Sequence, residues 1–307
     1  MQEFFNVTIL AVLQGVAEFL PISSSGHLVI GQHLLGMNPP GMRLEVFLHV
    51  GTLASIFVFY RRPIATILLG LFASDAERRR AAWEYAVKIF LSALPAVVVY
   101  FPFKKSIDDL FENARMVGAL LMFTGAVLAG TRFLPRGKRD VSFLRALLMG
   151  CGQAVAILPG VSRSGMTLAS ARAGRVAPEA AAEFSFLMSA PLIAGDALLH
   201  IWKAVRAAPE ELVGEPSWGV VAWGAAVAAV IGYFSLALLH LWKAVKSTPT
   251  ELVGEPSWGV VAWGAVLAAV VGYFSLALLL RALRGRGFWL FGPYCFTAGL
   301  LVVCFCK

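Results

Sequence analysis

Apolar runs about the length of a bilayer span recur from one end of this chain to the other, and that feature constrains its fold most. In hydrocarbon every backbone N–H and C=O must find its partner within the protein, which leaves helices or a closed barrel. The runs are continuous instead of alternating in ten-residue segments, which selects helices. Of the 307 residues, 59% are hydrophobic and 14% charged, and the mean hydropathy is +0.76. A soluble protein of this length would carry far more polar surface. The sequence therefore predicts an all-α polytopic membrane protein. Met1-Gln2-Glu3 lacks a positive n-region, so no cleaved signal peptide is expected. Cys151, Cys295, Cys304 and Cys306 have no metal-ligand spacing and read as structural.

The net charge of +8 is unevenly placed. Arg61, Arg62, Arg78, Arg79 and Arg80 share one connection; Arg132, Arg136, Lys138, Arg139 and Arg145 share another. Both are expected on the cytoplasmic side. The connection with Lys104, Lys105, Asp108, Asp109 and Glu112 is nearly neutral and can face outward. Because the charges flank spans instead of lining one face, nucleic acid is not an expected partner.

These loops set the direction of the spans. Residues 44–60 are expected to run inward, 83–100 outward, 116–131 inward, 182–201 outward and 218–239 inward, with a last span over 288–304. Two apolar stretches are interrupted. "QGVAEFLPISSSGH" and "QAVAILPGVSRSGMT" share the order Gln, Val-Ala, Leu-Pro and a Ser-x-Ser-Gly turn, roughly 139 residues apart. Three spans lie between them, so the second copy is inverted relative to the first. Pro and Gly break a helix in hydrocarbon only where the backbone is buried in protein or lines a wet cavity. The expected fold is an inverted-topology repeat with two re-entrant helical hairpins and about six to seven full spans. The first repeat covers 1–131 with its hairpin at about 4–36; the second covers 132–239 with its hairpin at about 143–177.

An unpartnered arginine in such a stretch costs about 2.5 to 3.5 kcal/mol on insertion scales, so Arg163 calls for an anion. Its planar fork, the flanking serines, the glycines and the start of the next half-helix all suit phosphate. On the other hairpin Ser23, Ser24 and Ser25 offer hydroxyl nucleophiles, with Glu18 and His27 close enough in sequence to act as acid or base. Together the two turns predict a phosphoryl-transfer site. An anion carrier is the alternative, since inverted repeats with broken helices also build transporters. A carrier needs Arg163 but no nucleophile.

These motifs resemble the undecaprenyl-diphosphate phosphatases, integral membrane enzymes of the bacitracin-resistance type. The first family motif is matched by Gln14, Glu18, Phe19-Leu20-Pro21, Ser23 to Ser25 and Gly26-His27; the second is complete from Pro159 to Thr167. The likeness extends to about Leu239 and includes "LEVFLHVGTLASIFVFYRR" and "AAEFSFLMSAP". It implies hydrolysis of undecaprenyl diphosphate to the monophosphate and phosphate, which recycles the lipid carrier for envelope polymers. The alternative activity is a polyprenyl-phosphate flippase. The resemblance implies Ser24 as nucleophile, Glu18 and His27 as its acid and base helpers, and Arg163 as the diphosphate clamp. Diphosphate binding is expected of Gln14, Ser23, Ser25, Gly160, Ser162, Ser164, Gly165 and Thr167. Gln14 stands where the family often has Glu. A divalent cation, magnesium or calcium, would fall to Glu18 and Gln14; no organic cofactor is expected. The expected setting is the bacterial inner membrane, with the site opening to the periplasm, a long-chain isoprenyl diphosphate as partner and a homodimer as the assembly.

One part departs from that pattern. "WKAVRAAPEELVGEPSWGVVAWGAAVAAVIGYFSLALL" is repeated almost verbatim 40 residues later, making 240–279 a tandem copy of 200–239, before a C-terminal region at 280–307. If both copies span, the basic residues Arg281, Arg284 and Arg286 fall outside. The expectation is that both are helical, one is peripheral and the active site is untouched.

Overall fold

The structure, a computed structural model, describes residues 2–35, 42–111, 113–206, 257–285 and 287–305. No strand occurs among the described residues; one isolated bridge joins Arg139 and Val176. The helices are Gln2–Ala17 (α1), Ser24–Leu34 (α2), Met42–Phe59 (α3), Arg61–Leu71 (α4), Ala76–Phe111 (α5), Ala114–Gly130 (α6), Phe143–Val155 (α7), Arg163–Ala173 (α8), Pro178–Arg206 (α9), Trp258–Arg284 (α10) and Phe291–Phe305 (α11). Among the described residues four helices are long and apolar enough to cross a bilayer, and a fifth is counted if the bent pair of α3 and α4 is one span. The chain is an integral membrane protein. The span expected over 218–239 lies outside the described residues. α4 occupies part of what the sequence suggested was a basic loop. It turns 76° from α3 and presses Gly70 against Ala82.

The two interrupted stretches are helix–break–helix hairpins: α1 and α2 around residues 18–23, α7 and α8 around residues 156–162. Around them the helices meet through small residues, as apolar helices do when dispersion drives their association. In the α6 and α11 pair, a Cβ on Gly118 would lie 2.9 Å from the carbonyl oxygen of Gly299, and one on Gly125 2.6 Å from the backbone nitrogen of Phe296. α10 lies against both α1 and α3. A Cβ on Gly51 would meet the Ala265 carbonyl at 2.1 Å, and one on Gly15 would meet Ala268 and Val271 at 2.8 Å. Ser55 Oγ donates to the Ala269 carbonyl at 2.6 Å, and Phe59 meets Tyr273 at 5.3 Å. The contacts progress in the same sense along all three helices, so α1, α3 and α10 are parallel.

α10 belongs to the second copy of the 40-residue repeat. The described part of that copy, 257–279, fills a central slot; most of the first, from residue 207 on, lies outside the described residues. The end of α10 reaches the main basic loop. Arg284 Nε pairs with Glu179 at 2.8 Å, Arg136 Nη2 donates to the Gly285 carbonyl at 3.3 Å, and Arg132 stacks over Trp289 at 4.8 Å. The described basic residues Arg281 and Arg284 therefore share one face with Arg132 and Arg136, as charge placement favours. α9 and α10 run antiparallel from this basic end, so the chain leaves α9 and re-enters α10 at the opposite end.

This arrangement makes a topological prediction. α1 begins, and α11 finishes, at the end away from the basic loops. Single cysteines placed at residue 2 and residue 305 are expected to be labelled from one side of sealed vesicles, and a cysteine at residue 138 from the other. Labelling of residue 305 together with residue 138 would contradict the placement of α10 and α11.

Candidate active site

Each break has a local cause. Pro21 removes a backbone donor and disfavours helix in the residue before it. Ser23 then takes φ 70°, left-handed for a non-glycine residue. Its Oγ accepts from the Gly26 N–H at 3.4 Å at the start of α2. In the second hairpin Gly160 takes φ +89°. A Cβ there would lie 2.3 Å from the Val117 carbonyl, so this position requires glycine on both grounds. Ser162 caps α8, its Oγ accepting from the Gly165 N–H at 3.1 Å.

The two turns are fastened to each other and to a common support. Ser164 Oγ donates to the Leu20 carbonyl at 3.2 Å across the hairpins. Thr124, on α6, donates to the Gly160 carbonyl at 3.1 Å and accepts from the Ser162 N–H at 3.1 Å. α11 holds the other turn. Cys295 Sγ donates to the Pro21 carbonyl at 3.4 Å, and Tyr294 lies parallel to His27 with ring centroids 5.6 Å apart. Phe19, in the first break, packs edge-on against Phe186 of α9 at 5.5 Å.

Between the turns lies a cavity of about 350 Å³. Glu18, Ser23, Ser24 and Ser25 line it from the first hairpin, Ser162, Arg163 and Ser164 from the second, and His49 from α3; Ile157, Val161, Leu192 and Ile193 supply apolar wall. Because α2 starts at Ser24 and α8 at Arg163, both helices present their positive ends to this space.

Glu18 is the hub. It is 5% exposed, so its charge must be met by the protein. Oε1 accepts from Arg163 Nη2 across the hairpins. Oε2 accepts from Ser24 Oγ at 2.7 Å and from Gln14 Nε2 at 3.0 Å, and faces His49 Nε2 at 3.8 Å. A hydroxyl donating to a carboxylate beside a guanidinium is the arrangement expected of an activated nucleophile next to an anion clamp.

The other expected residues fall elsewhere. Gln14 is fully buried and touches Glu18, but it is not part of the cavity wall; its Oε1 has no hydrogen-bond partner among the described residues. Thr167 shares a bond of 2.6 Å with Ser185 Oγ of α9. Gly160 and Gly165 shape the turn, and the Gly165 N–H is used by the Ser162 cap. His27 is 8% exposed and does not line the cavity. Its Nδ1 lies 2.8 Å from the Ser23 carbonyl, which only accepts, so in the neutral ring Nε2 accepts from the Tyr294 hydroxyl at 2.7 Å. The ring clamps the left-handed Ser23. The sequence reading missed His49, Thr124 and Tyr294. For His49 the signal was present, an imidazole within the apolar run "LEVFLHVGT".

A family model described as bacitracin resistance protein BacA matches residues 7–250. The chain belongs to that family. An undecaprenyl-diphosphatase of Rhodopirellula baltica is 39% identical over 239 residues, 77% of this chain and 88% of its own length. One from Salinibacter ruber is 38% identical over 206 residues, 64% of this chain and 76% of its own, and one from Halothermothrix orenii is 33% identical over 237 residues, 76% of this chain and 87% of its own. The family match runs through the first copy of the 40-residue repeat, whereas the described part of the second lies against α1 and α3.

Tyr294→Phe leaves the buried Nε2 of His27 without its donor. We expect a loss of about 1–3 kcal/mol in unfolding free energy in detergent. Thr297→Val, on the same helix but bonded only within it, is expected to stay within about 0.5 kcal/mol of wild type. Equal stability of the two variants would contradict the clamp.

Proposed function

We propose that this chain hydrolyses undecaprenyl diphosphate to undecaprenyl phosphate and inorganic phosphate. The observation that carries the reading is the Ser24 hydroxyl held on Glu18 opposite Arg163, in a cavity faced by two helix starts. The names of the family's members point to the same reaction. A lipid carrier would use the guanidinium and the helix dipoles but has no need of the Ser24–Glu18 pair.

In this reading Ser24 gives its proton to Glu18 and its oxygen attacks the outer phosphorus. The bond to the bridging oxygen breaks, and the lipid monophosphate leaves as a stable anion. Arg163 sits where its fork can meet the phosphoryl oxygens as negative charge spreads over them, and the positive ends of α2 and α8 act in the same sense. Ser23, Ser25 and Ser162 present further hydroxyls on the wall, while Ser164 gives its proton to the Leu20 carbonyl. His27 holds the turn from which Ser24 projects.

The residues present do not fit a resident divalent cation. Among the described residues no group of three His, Cys, Asp or Glu side chains comes together. Among the described residues Glu18 is the cavity's single carboxylate and is already paired with Arg163, while Gln14 directs its NH₂ to Glu18 and lies off the cavity. A hard cation takes six or more oxygens. We propose that magnesium or calcium, where required, is carried chiefly by the oxygens of the diphosphate.

For topology, the proposal keeps the inverted repeat of two re-entrant hairpins in the bacterial inner membrane. The equivalence of Ser23, Ser25 and Gly26 with Ser162, Ser164 and Gly165 supports it. The site opens toward the periplasm in this reading. Leu192 on its wall lies about four turns, roughly 20 Å, from the start of α9 at the basic end.

Ser24→Ala and Arg163→Ala are each expected to abolish phosphate release from a long-chain isoprenyl diphosphate in detergent. Arg163→Lys regains only a small part, because an ammonium lacks the planar fork. Full activity in Ser24→Ala would overturn the nucleophile, and full activity in Arg163→Ala the clamp.

A further inference from the structure

The diphosphatase reading leaves one proton without a carrier. After the first step Ser24 bears the phosphoryl group and Glu18 bears the Ser24 proton. The second step must expel the serine oxygen, a poor leaving group that needs that proton returned. Glu18, bonded to Ser24 Oγ at 2.7 Å, is placed to return it. It then cannot also take the proton of the attacking water while it still holds the first.

The other groups on the wall narrow the choice. The Arg163 guanidinium offers only donors, and the serines are weak bases. His27 is off the cavity, with its Nε2 on Tyr294. His49 lines the cavity from α3, its side chain 32% exposed, with Nε2 3.8 Å from the Glu18 oxygen that also holds Ser24. Among the described residues on that wall, it is the one imidazole, the side chain most often used as a general base.

We propose that His49 is the base of the dephosphorylation step. Water attacks the phosphorus on Ser24 and passes a proton to His49 Nε2. The bond from phosphorus to Ser24 Oγ breaks, and Oγ recovers its proton from Glu18. Phosphate departs and His49 releases its proton to solvent, so one water is consumed for each diphosphate. The inference rests on the diphosphatase reading and adds to it a division of labour: Glu18 serves the serine, His49 the water.

The test is rapid-quench turnover of a long-chain isoprenyl diphosphate by the purified wild type, His49→Gln and His49→Ala. Lipid monophosphate, free phosphate and phosphoserine at Ser24 are measured together. His49→Gln is expected to release about one equivalent of lipid monophosphate in a burst and to accumulate phosphorylated Ser24. Its steady phosphate release falls by about 10²–10⁴-fold, the usual contribution of a general base. Free imidazole, small enough for the cavity, is expected to restore part of the rate to His49→Ala, which a merely misfolded variant would not allow. A His49→Gln rate equal to wild type overturns the inference, as does a slow variant with neither burst nor phosphoserine. A wild type that releases no phosphate overturns the diphosphatase reading on which it rests.

Discussion

A carboxylate and a guanidinium held together inside an apolar bundle set the terms for the rest of this molecule. Glu18 and Arg163 come from hairpins far apart in sequence, and neither charge is tolerable alone at that depth. Bringing them together requires both helices to break at the same depth. Two stretches broken by Pro and Gly satisfy that need, and each break must then satisfy the backbone groups it frees. Ser23 and Ser162 do so as caps; Thr124 and the Ser164–Leu20 bond do so across elements. The arrangement that neutralises the charges also aims two helix starts at one cavity, which suits it to the phosphate chemistry proposed for it.

The support for the turns is a second layer. α6 and α11 approach closely through Gly118, Gly125, Gly292 and Gly299, and this pair carries Thr124 toward one turn and Tyr294 and Cys295 toward the other. A helix near the C-terminus thereby fixes a serine turn near the N-terminus. The left-handed Ser23 is the strained point, and the His27 ring holds it from the side away from the cavity.

The residues of the two turns were legible in the sequence because polar and helix-breaking residues in apolar stretches violate the local pattern. Glu18, the serines Ser23 to Ser25 and Arg163 stood out for that reason, and the matching turns announced their pairing; the choice of Ser24 among the serines came from the family resemblance. Thr124 and Tyr294 did not, because each sits within an unbroken helix, where a lone polar residue reads as packing; His49 was visible as an imidazole in an apolar run, but nothing local tied it to the turns. Only the fold turns them toward the site. His27 was legible as part of the motif, but its direction was not, since that depends on α11. The sequence could also not decide which copy of the repeat occupies the central slot. Gly264, Ala265, Ala268 and Gly272, which touch α1 and α3, have identical counterparts in Gly224, Ala225, Ala228 and Gly232. Only long-range contacts, and the basic loop that follows α10, distinguish the two.

The central claim is that the Glu18–Arg163 pair joins the two turns into one site, and a double-mutant cycle in unfolding free energy tests it most directly. Glu18→Gln and Arg163→Gln each leave a partly or wholly buried charge unmatched and are expected to cost about 3 kcal/mol or more. The double variant should recover a large part of that stability, because both charges are gone. Costs that simply add would mean that the two residues do not meet across the hairpins, and would contradict the account.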